Sequence, residues 1–478
     1  MRLRARVCAM TLVALAAVGC SMSLQGRAVS VFDDPFSVAG MPATDGPSGL
    51  RADPEPATRS VEATDGSDID KLAALAVSDV EQFWQTAYPD TFAAALVPVT
   101  SVISWDAIGF DGEFCGENTF ALINAAYCYP DRTLGWDRGA MMPDLQRVYG
   151  DMGVVMVLAH EYGHAVASQS GLTTDATETL VAEQQADCFS GTYLRWVAEG
   201  SSPRFTLSTG DGLNAVLAGV IAFRDPVLHE DDLDVGVNEH GSAFERLSAF
   251  QFGFTDGPSA CAGIDLDEIA QRRGHLPILL SDDQTGEMPV SEQTVHAVAD
   301  TVTTLFGLRN PPELRFETGR PVCGDARPSP PVSFCPATNS VVVDLDGLKE
   351  LGGQAHLPDG DTLAAGDNVA YSALVSRFML ALQHEIGGVT LSRATAALRT
   401  ACLTGVATAK MSRPVPTANG QTVVLTAGDV DEAVSGILTN GLAASDVNGD
   451  SVPSGFSRID AFRVGVLGDT DRCFARFD

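Results

Sequence analysis

An apolar run, Val154-Val-Met-Val-Leu-Ala159, leads straight into His160-Glu161-Tyr162-Gly163-His164 and continues as Ala165-Val166-Ala167. Two histidines four positions apart share one helix face, so both imidazoles can reach a single zinc ion while Glu161 stands beside the metal's water. After a turn at Gly171, a second helical segment carries Glu183-Gln-Gln-Ala-Asp187, again with two acids one turn apart. A catalytic zinc takes three protein ligands and keeps a fourth position for water. Glu183 is the expected third ligand beside His160 and His164. Asp187 is expected behind them, accepting the free N–H of a ligand histidine and fixing its tautomer. The competing reading of Glu183 and Asp187 is a solvated acidic helix face. In the expected chemistry, zinc polarises the scissile carbonyl, and Glu161 takes a proton from water and passes it to the leaving amine.

The frame around these residues begins with export. Residues 1–19 have a basic start and an apolar run from Val7 to Val18, the pattern of a secretory signal. The ending Ala17-Val18-Gly19-Cys20 resembles a bacterial lipobox, in which the Cys20 thiol receives diacylglycerol. Acylation would anchor the chain in the cell membrane, on its extracytoplasmic face. Residues 20–68 are rich in Ala, Asp, Pro, Ser, Thr and Gly without an apolar period, and read as a flexible stalk.

The 478 residues are 45% hydrophobic and 19% charged, which excludes disorder throughout and suggests two or three domains. A formal charge of −32 repels phosphate backbones, so no nucleic-acid partner is expected.

Eight cysteines follow the stalk, and an even count in an exported chain reads as disulfides. Cys115-Gly116 with Cys128 has a counterpart in Cys323-Gly324 with Cys335, and Cys188-Phe-Ser-Gly191 matches Cys402-Leu-Thr-Gly405. Arg246-Leu-Ser-Ala-Phe250, leading to Gly253 and Cys261, matches Arg458-Ile-Asp-Ala-Phe462, leading to Gly465 and Cys473. The chain therefore contains one domain twice. Equal bridges in both copies give Cys115–Cys128 with Cys323–Cys335, and Cys188–Cys261 with Cys402–Cys473. A lobe boundary near residue 285 leaves a metallopeptidase lobe over 69–284 and a second lobe over 285–478. Each opens with an amphipathic helix: Leu72, Leu75, Ala76, Val80, Phe83 and Trp84 share a face in the first, Val295, Val298, Val302, Leu305 and Phe306 in the second.

The HExxH segment, Glu183-Gln-Gln-Ala-Asp-Cys188-Phe-Ser-Gly191, His240-Gly-Ser-Ala-Phe-Glu-Arg246 and the stretch from Gly253 to Cys261 together resemble the neutral zinc metallopeptidases of bacteria, with their ExQADC and HGS motifs. With the lipobox and acidic stalk, the resemblance extends to actinobacterial lipoprotein peptidases of the LpqM type. It covers residues 70–265 well and the second lobe weakly. It implies an α+β, mainly helical fold whose zincin-like lobe acts on peptide or protein substrates. His240, in the HGS motif, is the candidate donor to the oxyanion; Tyr193 is the alternative, although packing on its helix is the plainer role for it.

The second lobe lacks most of this chemistry. His384-Glu385 aligns with His160-Glu161, but Gly388 stands in place of the second histidine, Ala397 and Ala401 in place of Glu183 and Asp187, and Val452 in place of His240. One imidazole does not hold a catalytic zinc, so this lobe is expected to be degenerate and to brace the first, cover its cleft or bind a cell-envelope protein. Two other activities remain open at this stage, a non-catalytic envelope binding or assembly protein and a zinc amidase acting on cell-wall material. Asp446-Val-Asn-Gly-Asp450 lacks the glutamate and glycine positions of a calcium loop and reads as a turn, and Leu213–Phe223 reads as a core helix.

Overall fold

The computed structural model describes residues 34, 36–109, 112–229, 240–282, 284–319, 321–353, 363, 365–417 and 422–478. The signal segment 1–19 and the lipidation position Cys20 lie outside them. Among the described residues no helix is long and apolar enough to cross a membrane. The fold is α+β and mainly helical, with small mixed sheets.

In the first lobe Ser67 caps α1 (Asp68–Phe92), and Leu72, Ala76, Val80, Phe83 and Trp84 form its buried face, as the periodicity predicts. A four-stranded sheet follows, in the order Val61–Glu62, Val102–Trp105, Thr133–Asp137, Ala125–Cys128; the first three strands run parallel and the last antiparallel. Then come α2 (Met141–Tyr149), α3 (Asp151–Ser170), α4 (Thr179–Ala198), α5 (Asp211–Ala222), α6 (Ala243–Asp256), the short α7 (Pro258–Cys261) and α8 (Leu266–Arg273). The second lobe repeats the plan. Helix α9 (Glu292–Phe306) precedes a sheet ordered Glu313–Phe316, Ser340–Val343, Val332–Cys335, with one parallel and one antiparallel pairing. Helices α10 (Leu345–Gly353), α11 (Asp367–Ile386), α12 (Ala394–Met411), α13 (Asp429–Thr439), α14 (Gly455–Val466) and α15 (Thr470–Arg476) complete it. All four disulfides join the cysteines that the repeat pairs.

The repeat also explains its glycines. A Cβ on Gly191 of α4 would overlap the Phe250 carbonyl of α6, and one on Gly253 would overlap that of Cys188. Gly405 and Gly465 meet Phe462 and Cys402 in the same way at the α12–α14 crossing. Both helix pairs approach backbone to backbone, and beside the two crossings the long disulfides tie α4 to α7 and α12 to α15.

The described residues belong to one compact unit. Its two lobes join through α5–α6 and α13–α14, and the contact is reciprocal. Asp431 accepts the Phe244 N–H at the start of α6 (3.1 Å), while Asn214 accepts the Gly455 N–H at the start of α14 (2.8 Å). Gln251 donates to the Phe456 carbonyl, and Phe254 packs on Phe456 with ring centroids 5.0 Å apart.

The expectation of a flexible stalk over 20–68 is corrected for its described part. Gly49–Leu50 pairs with Phe205–Thr206, Val61–Glu62 joins the main sheet, and Arg59 reaches Glu81 at 2.6 Å. Val38 is fully buried, and Arg51 N–H bonds the carbonyl of the buried Arg204. This strap is held largely through its backbone, so its side chains need no apolar period, and the pattern that signals a folded element is missing. Tyr193, Ser202 and Arg204 converge on buried Asp79; the Tyr193 hydroxyl donates to it at 2.7 Å, so Tyr193 packs in the core. The Asp446–Asp450 segment is a turn in which the Asp446 carboxylate accepts the Asn448 and Asp450 N–H groups.

Because the helix crossings leave no space for a methyl group, Gly191→Ala and Gly405→Ala should each destabilise the protein by about 1–3 kcal/mol. Urea unfolding monitored by circular dichroism measures both, and a midpoint unchanged from the parent would show that the crossings can yield.

Candidate metal centre

Helix α3 is buried around nearly its whole circumference from Met152 to Ala167, as befits a central helix. At Gly163 an added Cβ would lie 2.9 Å from both the Cα and the carbonyl oxygen of Ala186, so α3 and α4 touch through backbone there. This contact sets His160 and His164, on either side of Gly163, against the Glu183–Asp187 face of α4.

The donor atoms of His160, His164 and Glu183 lie within 4.8 Å of one another, and the group can hold a metal ion. His160 Nε2 is 3.1 Å from Glu183 Oε2 and His164 Nε2 is 3.4 Å from Glu183 Oε1, so both Nε2 atoms face the same carboxylate. Their Nδ1 atoms are anchored from behind. His160 Nδ1 meets Asp187 Oδ1 at 2.8 Å, and His164 Nδ1 meets the Tyr129 hydroxyl at 3.1 Å. With the proton on Nδ1 in each ring, both Nε2 lone pairs are free for a cation.

Asp187 is itself gripped by Arg246 of α6, whose Nε and Nη2 each donate at 2.8 Å, while Nη1 donates to the Phe223 carbonyl. Burial works against a charged Asp187, but Arg246 and then His160 outweigh it and hold the carboxyl below the usual range. Burial likewise opposes charge on Glu183, and His164 and His160 overcome it to lower that carboxyl. For His160, Asp187 and Glu183 outweigh burial and raise the imidazole to about 10.

Glu161 is not one of the converging donors. Its Oε2 accepts the Tyr127 backbone N–H at 3.0 Å, from the edge strand Ala125–Cys128, and burial raises its carboxyl above the ordinary value. His240 stands at the rim with its side chain 41% exposed, Nε2 3.6 Å from Glu183 Oε2 and Nδ1 3.4 Å from Asp225 Oδ1. The hydrogen bond to Asp225, and next to it the charge of Glu183, raise its imidazole although burial opposes them. The HGS segment has a physical division of labour. His240 and Gly241 donate their N–H groups to Asp225, Gly241 takes a φ of +93°, and Ser242 caps α6 in a capping box with Glu245.

Of the residues singled out in the first lobe's sequence, His160, Glu161, His164, Glu183, Asp187 and His240 meet here, while Tyr193 lies in the core on Asp79. Tyr129 and Asp225 join them without having been read from the sequence. In the second lobe His384 is exposed on the last turn of α11, and Glu385 is tied to the Arg309 and Asn310 N–H groups. Among the described residues no metal-competent group includes either.

Compared with family models, curated proteins and solved structures, the chain matches none of them.

Asp187→Asn keeps a shape that can accept from His160 but removes the charge that pairs Arg246. Metal affinity should fall about 10–100-fold, measured by competition with a chromophoric chelator. Unchanged affinity would detach Asp187 from the metal group.

Proposed function

We propose that this is an exported zinc metallopeptidase, anchored by lipid on Cys20 at the extracytoplasmic face of the cell membrane, with one active and one degenerate lobe. The observation that carries the reading is the convergence of His160, His164 and Glu183, with Glu161 poised next to them but outside the donor set. Two imidazoles and one carboxylate are the donor set of a catalytic zinc with an open fourth position, in a zincin-like arrangement. Bound there, zinc would polarise the scissile carbonyl and lower the pKa of water.

The chain's own groups account for the remaining roles. Glu161, held by the Tyr127 N–H, takes the proton of the attacking water and returns it to the leaving amine. His240, whose imidazole the Asp225 hydrogen bond raises, donates to the oxyanion as charge develops. Ala125–Cys128 is an edge strand running past Glu161, and an extended peptide can add to such an edge through backbone hydrogen bonds. That feature favours a peptide or protein substrate over other amides.

Elemental mass spectrometry should find about one zinc per chain, lost in Glu183→Ala. Glu161→Gln should keep zinc while hydrolysis of a peptide library falls about 10²–10⁴-fold. Zinc-loaded protein inactive on diverse peptides would refute the activity.

A further inference from the structure

A second group of acids lies where the inter-lobe linker meets the second lobe. Glu287 is on the linker, Asp367 opens α11, and Asp429 and Glu432 lie in the first turn of α13. Carboxylate oxygens of Glu287, Asp367 and Glu432 lie within 4.8 Å of one another. Beside them opens a cavity of about 270 Å³, lined by Glu287, Asp367, Asp429, Tyr371 and Thr426 among others, with no Lys, Arg or His in its wall.

Buried acids elsewhere are satisfied in one of two ways. Asp79 has Arg204, Glu81 has Arg59, Asp187 has Arg246 and Glu245 has Arg273, while Asp70 and Asp137 have both carboxylate oxygens occupied by donors from Ser104 and Trp136 and by backbone N–H groups. Among the described residues no basic side chain pairs with Asp367, Asp429 or Glu432, although all three are buried. Glu432 spends Oε2 on the Asn368 N–H at 2.7 Å, and Asp429 spends Oδ2 on Thr426. Asp367, only 7% exposed, has an Oδ1 with no hydrogen-bond partner. A buried carboxylate oxygen left unpaired carries a large desolvation penalty.

We propose that Glu287, Asp367 and Glu432 form a calcium site that fastens the inter-lobe linker to the starts of α11 and α13. All-oxygen donors select a hard cation, in contrast to the nitrogen-containing zinc group of the first lobe. Calcium accepts six to eight oxygens in adaptable geometry, so Asp429, backbone carbonyls and water from the adjoining cavity can complete its shell; magnesium demands a near-ideal octahedron and sheds water reluctantly. Burial, reinforced by the neighbouring acids, raises Glu432 to about 9 and Asp429 to about 7.

The full chain, stripped with EDTA and reloaded with one equivalent of zinc, is titrated with CaCl2 by calorimetry and by thermal unfolding. One calcium per chain is expected to bind with a Kd of about 10⁻⁴–10⁻³ M, the range of extracellular modules, and to raise Tm. Asp367→Asn should lower calcium affinity at least tenfold and leave zinc content unchanged. Glu287→Gln, at an exposed position that burdens folding little, should do the same. No saturable calcium binding up to about 10 mM, wild-type affinity in both variants, or a preference for magnesium would each overturn the assignment.

Discussion

A carboxylate survives in a protein interior only when cations and N–H groups surround it, and the first lobe is organised around one that does. Asp187 is 2% exposed, accepts two bonds from Arg246 and one from His160, and thereby joins α4, α6 and α3 at one point. Each helix must be held at the right distance for that chain to close. Gly163 lets α3 approach α4, Gly191 and Gly253 let α4 approach α6, and Cys188–Cys261 ties α4 to α7 beside the second crossing. Losing one partner of such a buried pair costs about 3–5 kcal/mol, which makes the positioning of His160 and the stability of the lobe one problem.

The second lobe keeps the frame and drops the charges. Arg458 reaches the Leu438 carbonyl as Arg246 reaches that of Phe223, but Ala401 stands where Asp187 would. Its guanidinium is left with carbonyls and a hydroxyl, and burial lowers it to about 10. The glycine crossing and the long disulfide persist there, and among the described residues no metal-competent histidine pair accompanies them. The crossing therefore belongs to the fold, while the carboxylates of α4 are a separate addition that turns the same frame into a site.

What was legible in the sequence follows the same division. Features with fixed local spacing could be read: the histidines one turn apart, the acids of α4, the cysteines and glycines that recur in both lobes. Tyr129 could not, because it follows Cys128 in a turn with no period to mark it, and it acts only by meeting a helix that begins more than twenty residues later. Asp225 was hidden likewise, since an acid after a helix end has many ordinary uses. The strap over 36–62 was read as flexible because backbone pairing leaves no trace in side-chain pattern. The acids of the linker, α11 and α13 lie far apart in sequence, and an acid at a helix start is commonplace.

The reason for two lobes in one chain lies in the order of dependence between them. Arg246 can grip Asp187 only if the start of α6 is fixed, and that start is capped in part by Asp431, which belongs to α13 of the other lobe. Asp431 in turn lies between Asp429 and Glu432, so the turn that caps α6 is also the turn that carries the acids of the second cluster. Burial raises Asp431 to about 6 even though the Ala243 and Phe244 N–H groups favour its charge. The second lobe thus helps to fix the start of α6, and through it the Arg246–Asp187 pair behind the candidate metal group, while His160, His164 and Glu183 all come from the first lobe.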